Sequence, residues 1–125
     1  MRTALLFLAV ILVAAASAAA EPPSATAVVC TAIVENRCEG ASLRFPANVG
    51  KLFGFSEAQN VNSALVHVWF YKDKELGRIK MGAPNAPRWL TWSNVTVSQN
   101  MTGPWRLEAR DTDGNVLATF NFTVQ

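Results

Sequence analysis

Across residues 27–125, apolar side chains recur at every second position in short runs, with Gly, Pro, Asn and Asp clustered between the runs. A repeat of two is that of a β-strand with one covered face. Ala27–Val34 (AVVCTAIV) is β-branched and reads as a first strand. In Val49–Ser56 (VGKLFGFS), Val49, Lys51, Phe53 and Phe55 share one side while Leu52 falls on the other, between Gly50 and Gly54. Glycines there admit a bulge or the close approach of a large neighbour. Ala64–Tyr71 (ALVHVWFY) is uncharged on both sides, so both must be covered or one is an interaction surface. The charged tip Lys72–Glu75 then returns the chain into Leu76–Met81, which predicts a hairpin.

Arg88–Val97 (RWLTWSNVTV) carries two of the four tryptophans and ends in a Val-Thr-Val alternation. In Trp105–Arg110, Trp105, Leu107 and Ala109 oppose Arg106, Glu108 and Arg110, the pattern of a half-solvated antiparallel strand. After a turn at Asp111–Asn115, the residues Val116, Ala118, Phe120, Phe122 and Val124 form the apolar face of a last strand. Cys38–Asn48 reads as a connection with Phe45 plugged into the core, and Glu57–Ser63, Gly82–Pro87 and Ser98–Pro104 read as loops. No apolar residue recurs at helical spacing for several turns after residue 20. About seven short strands in one domain, residues 27–125, predict an all-β fold, an antiparallel Ig-like β-sandwich. Two sheets are needed because a single one leaves half of the aromatic side chains wet.

Residues 1–20 (MRTALLFLAVILVAAASAAA) combine Arg2, an apolar run from Ala4 and small-residue A-x-A patterns, the features of a secretory signal peptide. The alternative is an uncleaved anchor, since the run approaches the roughly 20 residues that cross a bilayer. Residues 21–26, with Pro22 and Pro23, read as a flexible leader. No comparable apolar stretch follows, so no membrane span is expected after signal removal. Beyond residue 20 the chain has ten basic and nine acidic residues, scattered in sign. That balance gives no electrostatic footprint for nucleic acid.

Cys30 and Cys38 both lie in the exported part, where oxidation is expected. A single extended strand would hold them about 26 Å apart, so a bridge requires the chain to fold back through Glu35-Asn36-Arg37. A disulfide is favoured over two separate thiols. A metal site is not expected, because His67 is the sole histidine and no second cysteine pair exists. No cofactor is expected.

Indole joins a flat apolar surface to a polar edge, so tryptophans serve both as core and as contact residues. Trp89 and Trp92 are separated by an odd number and point to opposite faces of a regular strand. Trp92, Trp105, Phe120 and Phe122 are assigned to the core. His67, Trp69, Arg88 and Trp89 are the candidates for binding, with Arg88 in phase with Trp92 and placed to stack on it or lie beside it. His67 has no serine, cysteine or carboxylate at a motif spacing, which predicts a strand histidine rather than a base. Asp111-x-Asp113-Gly114-Asn115 has part of a calcium loop, but the twelfth position is Phe122 where the closing glutamate belongs, so a hairpin turn is expected. Asn94, Asn100 and Asn121 head glycosylation-type tripeptides, which are ordinary on outward strand positions. There is no Gly-rich phosphate loop, no G-x-S-x-G and no carboxylate pair whose context suggests acid–base work, so no enzymatic chemistry is predicted.

The order HVWFYKDKELGRI, PRWLTWSNVTV and GPWRLEARDTDGNVLATFNF resembles a bacterial family classed as a domain of unknown function, DUF2914. The matching positions are His67 and Trp69; Arg88, Trp89, Thr91, Trp92 and Ser93; Gly103, Trp105, Arg106 and Glu108; and Asp111, Asp113 and Gly114. The first half, CTAIVENRCEGASLRFPANVGKLFGFSE, is similar to that family as well, with Cys38 standing where a proline or small residue is more usual. The resemblance implies an all-β module in the bacterial envelope and lends no activity. The expected role is a non-catalytic protein-interaction or assembly piece at the periplasm or cell surface, with an unknown envelope protein as partner. The alternative is a module binding carbohydrate or peptidoglycan, a cell-wall glycan, through surface tryptophans.

Overall fold

The computed structural model describes residues 4, 8–11, 21–82, 84 and 86–125. Most of the expected signal segment, residues 1–20, lies outside them. Among the described residues no helix is long and apolar enough to cross a membrane.

Among the described residues eleven strands follow one another: β1 (Ser24–Ala25), β2 (Val28–Cys30), β3 (Ala32–Val34), β4 (Arg37–Glu39), β5 (Arg44–Phe45), β6 (Gly50–Gln59), β7 (Ala64–Tyr71), β8 (Lys74–Gly82), β9 (Arg88–Val97), β10 (Gly103–Arg110) and β11 (Val116–Val124). They form two layers and a small hairpin. In the front sheet β6 is central, with β9 along one side and β2 and β1 along the other, all antiparallel. The back sheet runs β5-β11-β10-β7-β8, antiparallel except where β5 joins β11. β3 and β4 make the hairpin.

Local chemistry explains the turns. Lys72 and Asp73, with φ of 48° and 62°, form the two-residue β7–β8 connection without the usual Asn-Gly, the double positive φ that matches strand twist. Glu35 and Asn36 do the same at β3–β4, with φ of 49° and 61°. That reversal brings Cys30 and Cys38 to a Cα separation of 5.7 Å, and a disulfide joins them. The first expected strand is thus broken in two at Thr31. The leader also contributes, since Ser24–Ala25 pair with the end of β6, which itself extends three residues into the expected polar loop.

The core lies between the sheets in two apolar groups. The larger gathers Leu52, Trp69, Trp105, Leu107, Phe122 and Val124 with Phe45; the smaller gathers Ala58, Val61, Leu65, Trp89 and Ala109. β6 turns Leu52, Gly54, Ser56 and Ala58 inward, and its phenylalanines outward. Gly54 is small for a reason: a Cβ there would stand 2.6 Å from Leu107 Cδ2 and 2.8 Å from Trp69 Cζ2. The indole of Trp69 fills the space a side chain would need, the close approach that the glycine admits.

Trp92 does not join this core. β9 alternates as a strand should, but Trp89 is the inward residue, 6% exposed, and Trp92 is 39% exposed. Register supplies the reason: Trp89 lies opposite Ala58, and Trp92 lies opposite Phe55 on the outer face. Small inward residues on β6 leave room for the one indole. Trp105 and Phe122 are buried, Phe120 is half-buried beside them, and Val116 at the start of β11 is exposed.

Candidate functional site

Two arrangements carry polar or aromatic chemistry. The first is buried. β7 sends His67 inward between Leu65 and Trp69, and the antiparallel pairing of β6 with β9 places Ser56 and Ser93 across from it. His67 Nε2 is 2.7 Å from Ser56 Oγ, and Nδ1 is 2.7 Å from Ser93 Oγ. Trp69 Nε1 donates to the same Ser93 oxygen at 3.1 Å. One polar layer therefore links the two sheets between the two apolar groups.

Burial disfavours the imidazolium and pushes His67 down to about 4. At neutral pH the ring is uncharged, with one nitrogen donating and the other accepting. The Ser56–His67 separation is that of a nucleophile and its base. Both side chains are fully buried, however, so Ser56 Oγ presents no surface to a substrate. The geometry performs cross-sheet hydrogen bonding. Neither serine was legible as a partner, because residues 56, 67 and 93 meet only through strand register.

The second arrangement is the outward face of the front sheet. Phe55 and Trp92 are cross-strand neighbours with ring centroids 6.3 Å apart and planes within 7°. Leu90, 41% exposed, precedes Trp92 on the same face. Arg88 is outward too, but its guanidinium bonds the Glu57 carboxylate rather than stacking on Trp92. That contact, with a bond from Gln59, holds the Glu57 carboxyl below its ordinary range.

The outward face of the back sheet is closed by charge. Glu108 accepts from Arg106 Nε at 3.1 Å and from Arg110 Nε at 2.9 Å, and Arg106 also bonds Asp73. The Arg106 guanidinium lies 4.0 Å over the Phe70 ring. Arginine stems and this stacking cover the apolar residues beneath.

Of the four binding candidates, His67 and Trp69 are in the core as one hydrogen-bonded unit, Trp89 is buried, and Arg88 alone is exposed. Trp89 Nε1 is buried without a partner. Trp92, assigned to the core, stands exposed on the outer face instead, with Phe55 half-buried beside it. Asp111 is spent on its turn: Oδ1 accepts the backbone N–H groups of Asp113 and Asn115, and Oδ2 the Asn115 amide. Among the described residues no three His, Cys, Asp or Glu side chains cluster to hold a metal ion.

Solved structures place this architecture among the Ig-like β-sandwich modules. The CARDB domain of a protein from Pyrococcus furiosus, solved in complex with di-metal ions, superposes with a TM-score of 0.50 at 12% identity, over 83% of this chain and 88% of that one. The family model described as a protein of unknown function (DUF2914) matches residues 62–124, from the approach to β7 through β11. The chain belongs to the DUF2914 family. No curated protein matches its sequence.

Proposed function

We propose that this chain is a non-catalytic module, exported to the bacterial envelope, that binds another protein through the outward face of its front sheet. The observation that carries this reading is the half-exposed Phe55–Trp92 pair with Leu90 beside it. An apolar centre bordered by the Glu57–Arg88 ion pair has the make-up of a protein contact, with a tryptophan anchor inside a polar rim. The back sheet, sealed by arginine and glutamate, offers no equivalent. Export is supported by the composition of residues 1–20 and by the Cys30–Cys38 bridge. Glycan binding through several surface indoles has less support, since Trp69, Trp89 and Trp105 are all buried.

The test is capture from bacterial envelope extract on the immobilised protein, in parallel with sedimentation on purified peptidoglycan. A specific protein should be retained by the native chain and lost with Trp92→Ala. That variant should cost about 1 kcal/mol or less in stability, because the indole is not in the core. Equal capture by the variant refutes the face. Peptidoglycan binding that Trp92→Ala removes replaces the protein reading with the glycan one.

A further inference from the structure

The front sheet ends on β9 and the back sheet on β8, and the two edges are built differently. β8 has a register shift opposite Trp69/Phe70 and carries Lys74, Glu75, Arg78 and Lys80. Bulges and charges are what keep an edge strand from pairing with another chain. β9 has neither protection. It runs ten residues against β6 without a register shift, contains no proline, and holds a single charge, Arg88, at its first position, bonded to Glu57. Among the described residues β6 is the one strand it pairs with. A long, regular, neutral edge with open N–H and C=O groups is a template for an added strand.

We propose that the strand added to β9 is β9 of a second copy of this chain, antiparallel about a two-fold axis through Trp92, so that two front sheets become one. Because strand faces alternate, such pairing sets outward residues against outward residues. Leu90 of each copy lies opposite Asn94 of the other, Arg88 opposite Thr96, and Trp92 opposite its own counterpart. No like charges meet. Self-pairing of β8 would instead set a strand with Lys74, Arg78 and Lys80 against the same basic residues. The indole of Trp92 already stacks on Phe55, and an axis at this residue continues that stack across the junction. Inward, Thr91 meets Ser93 and Trp89 meets Val95, side chains that within one copy stand opposite Ser56, Gly54, Ala58 and Leu52. Both readings use Trp92, but the dimer is formed by the strand edge and read from sedimentation and cross-linking whereas the partner contact is read from capture, so this inference goes beyond the partner-binding reading and either can fail without the other.

Sedimentation velocity on protein produced from the full chain should show a concentration-dependent dimer. Trp92→Cys should yield a covalent dimer on mild copper oxidation, because directly opposed Cβ atoms stand about 5 Å apart and the two native cysteines are already bonded. The double variant L90K/N94K sets lysine against lysine and should weaken the dimer by about tenfold or more. L90K/N94D sets lysine against aspartate at the same positions and should restore it. Unchanged thermal midpoints check that these outward substitutions leave the fold intact. If a charged variant unfolds, the Trp92→Cys result decides. A protein monomeric at every concentration, a dimer indifferent to L90K/N94K, or one that Trp92→Cys fails to cross-link overturns the proposal.

Discussion

Acid should begin to loosen the sandwich near pH 6.5, well above the ordinary carboxylate range, and His67 is the reason. Folded, the ring titrates at about 4; in the unfolded chain it returns to its ordinary value near 6.5. As pH falls the unfolded state takes up the proton first. Stability is therefore full above about 6.5, declines between 6.5 and 4, and levels off below. The 2.5-unit gap corresponds to a loss of about 3 kcal/mol at 1.36 kcal/mol per unit. Neither Ser56 nor Ser93 carries a charge to stabilise the imidazolium, and the His67 cross-strand neighbours Ile79 and Ala109 are apolar. The nearby charges, Glu57 and Arg88 on the front sheet and Glu108 and Arg110 on the back, belong to the outward faces. Glu57, Glu75 and Asp111 are held below their ordinary values, so what they contribute begins to be lost only below about 4.3. Urea titrations followed by tryptophan fluorescence from pH 7 to 4.5 should lose stability at close to one proton per molecule. The thermal midpoint should fall by about 10–20 °C for a domain of this size. His67→Gln should be less stable at pH 7 and nearly flat across the same window. A flat native profile, or a slope that survives in His67→Gln, refutes the reasoning.

Trp69→Phe should cost about 2 kcal/mol or more in urea unfolding, because it opens space in the core and removes the donor to Ser93. Trp89→Phe should stay within about 1 kcal/mol of the native chain, since the unpartnered Nε1 it removes already costs about 1–3 kcal/mol to bury; equal losses would show the two indoles to be equivalent. Gly54→Ala should destabilise by about 1–3 kcal/mol through overpacking against Trp69 and Leu107, read from the same titration. Reduction of the Cys30–Cys38 bridge should cost about 2–3 kcal/mol in the chain-entropy picture, measured as the midpoint difference with and without reductant.

Alternation of side chains was enough to establish the all-β class, the β7–β8 hairpin, and the limits of β7, β9 and β11; the expected four-residue tip Lys72–Glu75 is shortened to Lys72–Asp73 because Lys74 and Glu75 pair with Tyr71 and Phe70. These features are local: a period of two, turn residues and charged tips are written in neighbouring positions. Alternation also separated Trp89 from Trp92. It did not say which of them faces inward, and the assignment of Trp92 to the core took the wrong one. The inward side of β6 is Leu52, Gly54, Ser56 and Ala58, a run that looks polar and small because indoles from the other strands fill the space above it. The larger residues Phe53 and Phe55 stand on the outer side.

Tertiary pairing decided the rest. Ser56, His67 and Ser93 form a layer only because Gly54 pairs with Ser93 and the back sheet crosses above them. A single histidine and two serines at separations of 11 and 26 residues spell no motif. Which edge strand is protected likewise depends on strand order, which no repeat along the chain contains. The sequence by itself determined where the long strands β7, β9, β10 and β11 form, since that follows from each residue's immediate neighbours, whereas the short strands β1 to β5 exist only through the partners they pair with. The structure alone decided which face is core, which is contact, and where the sheet lies open, because those depend on contacts between residues far apart in the chain.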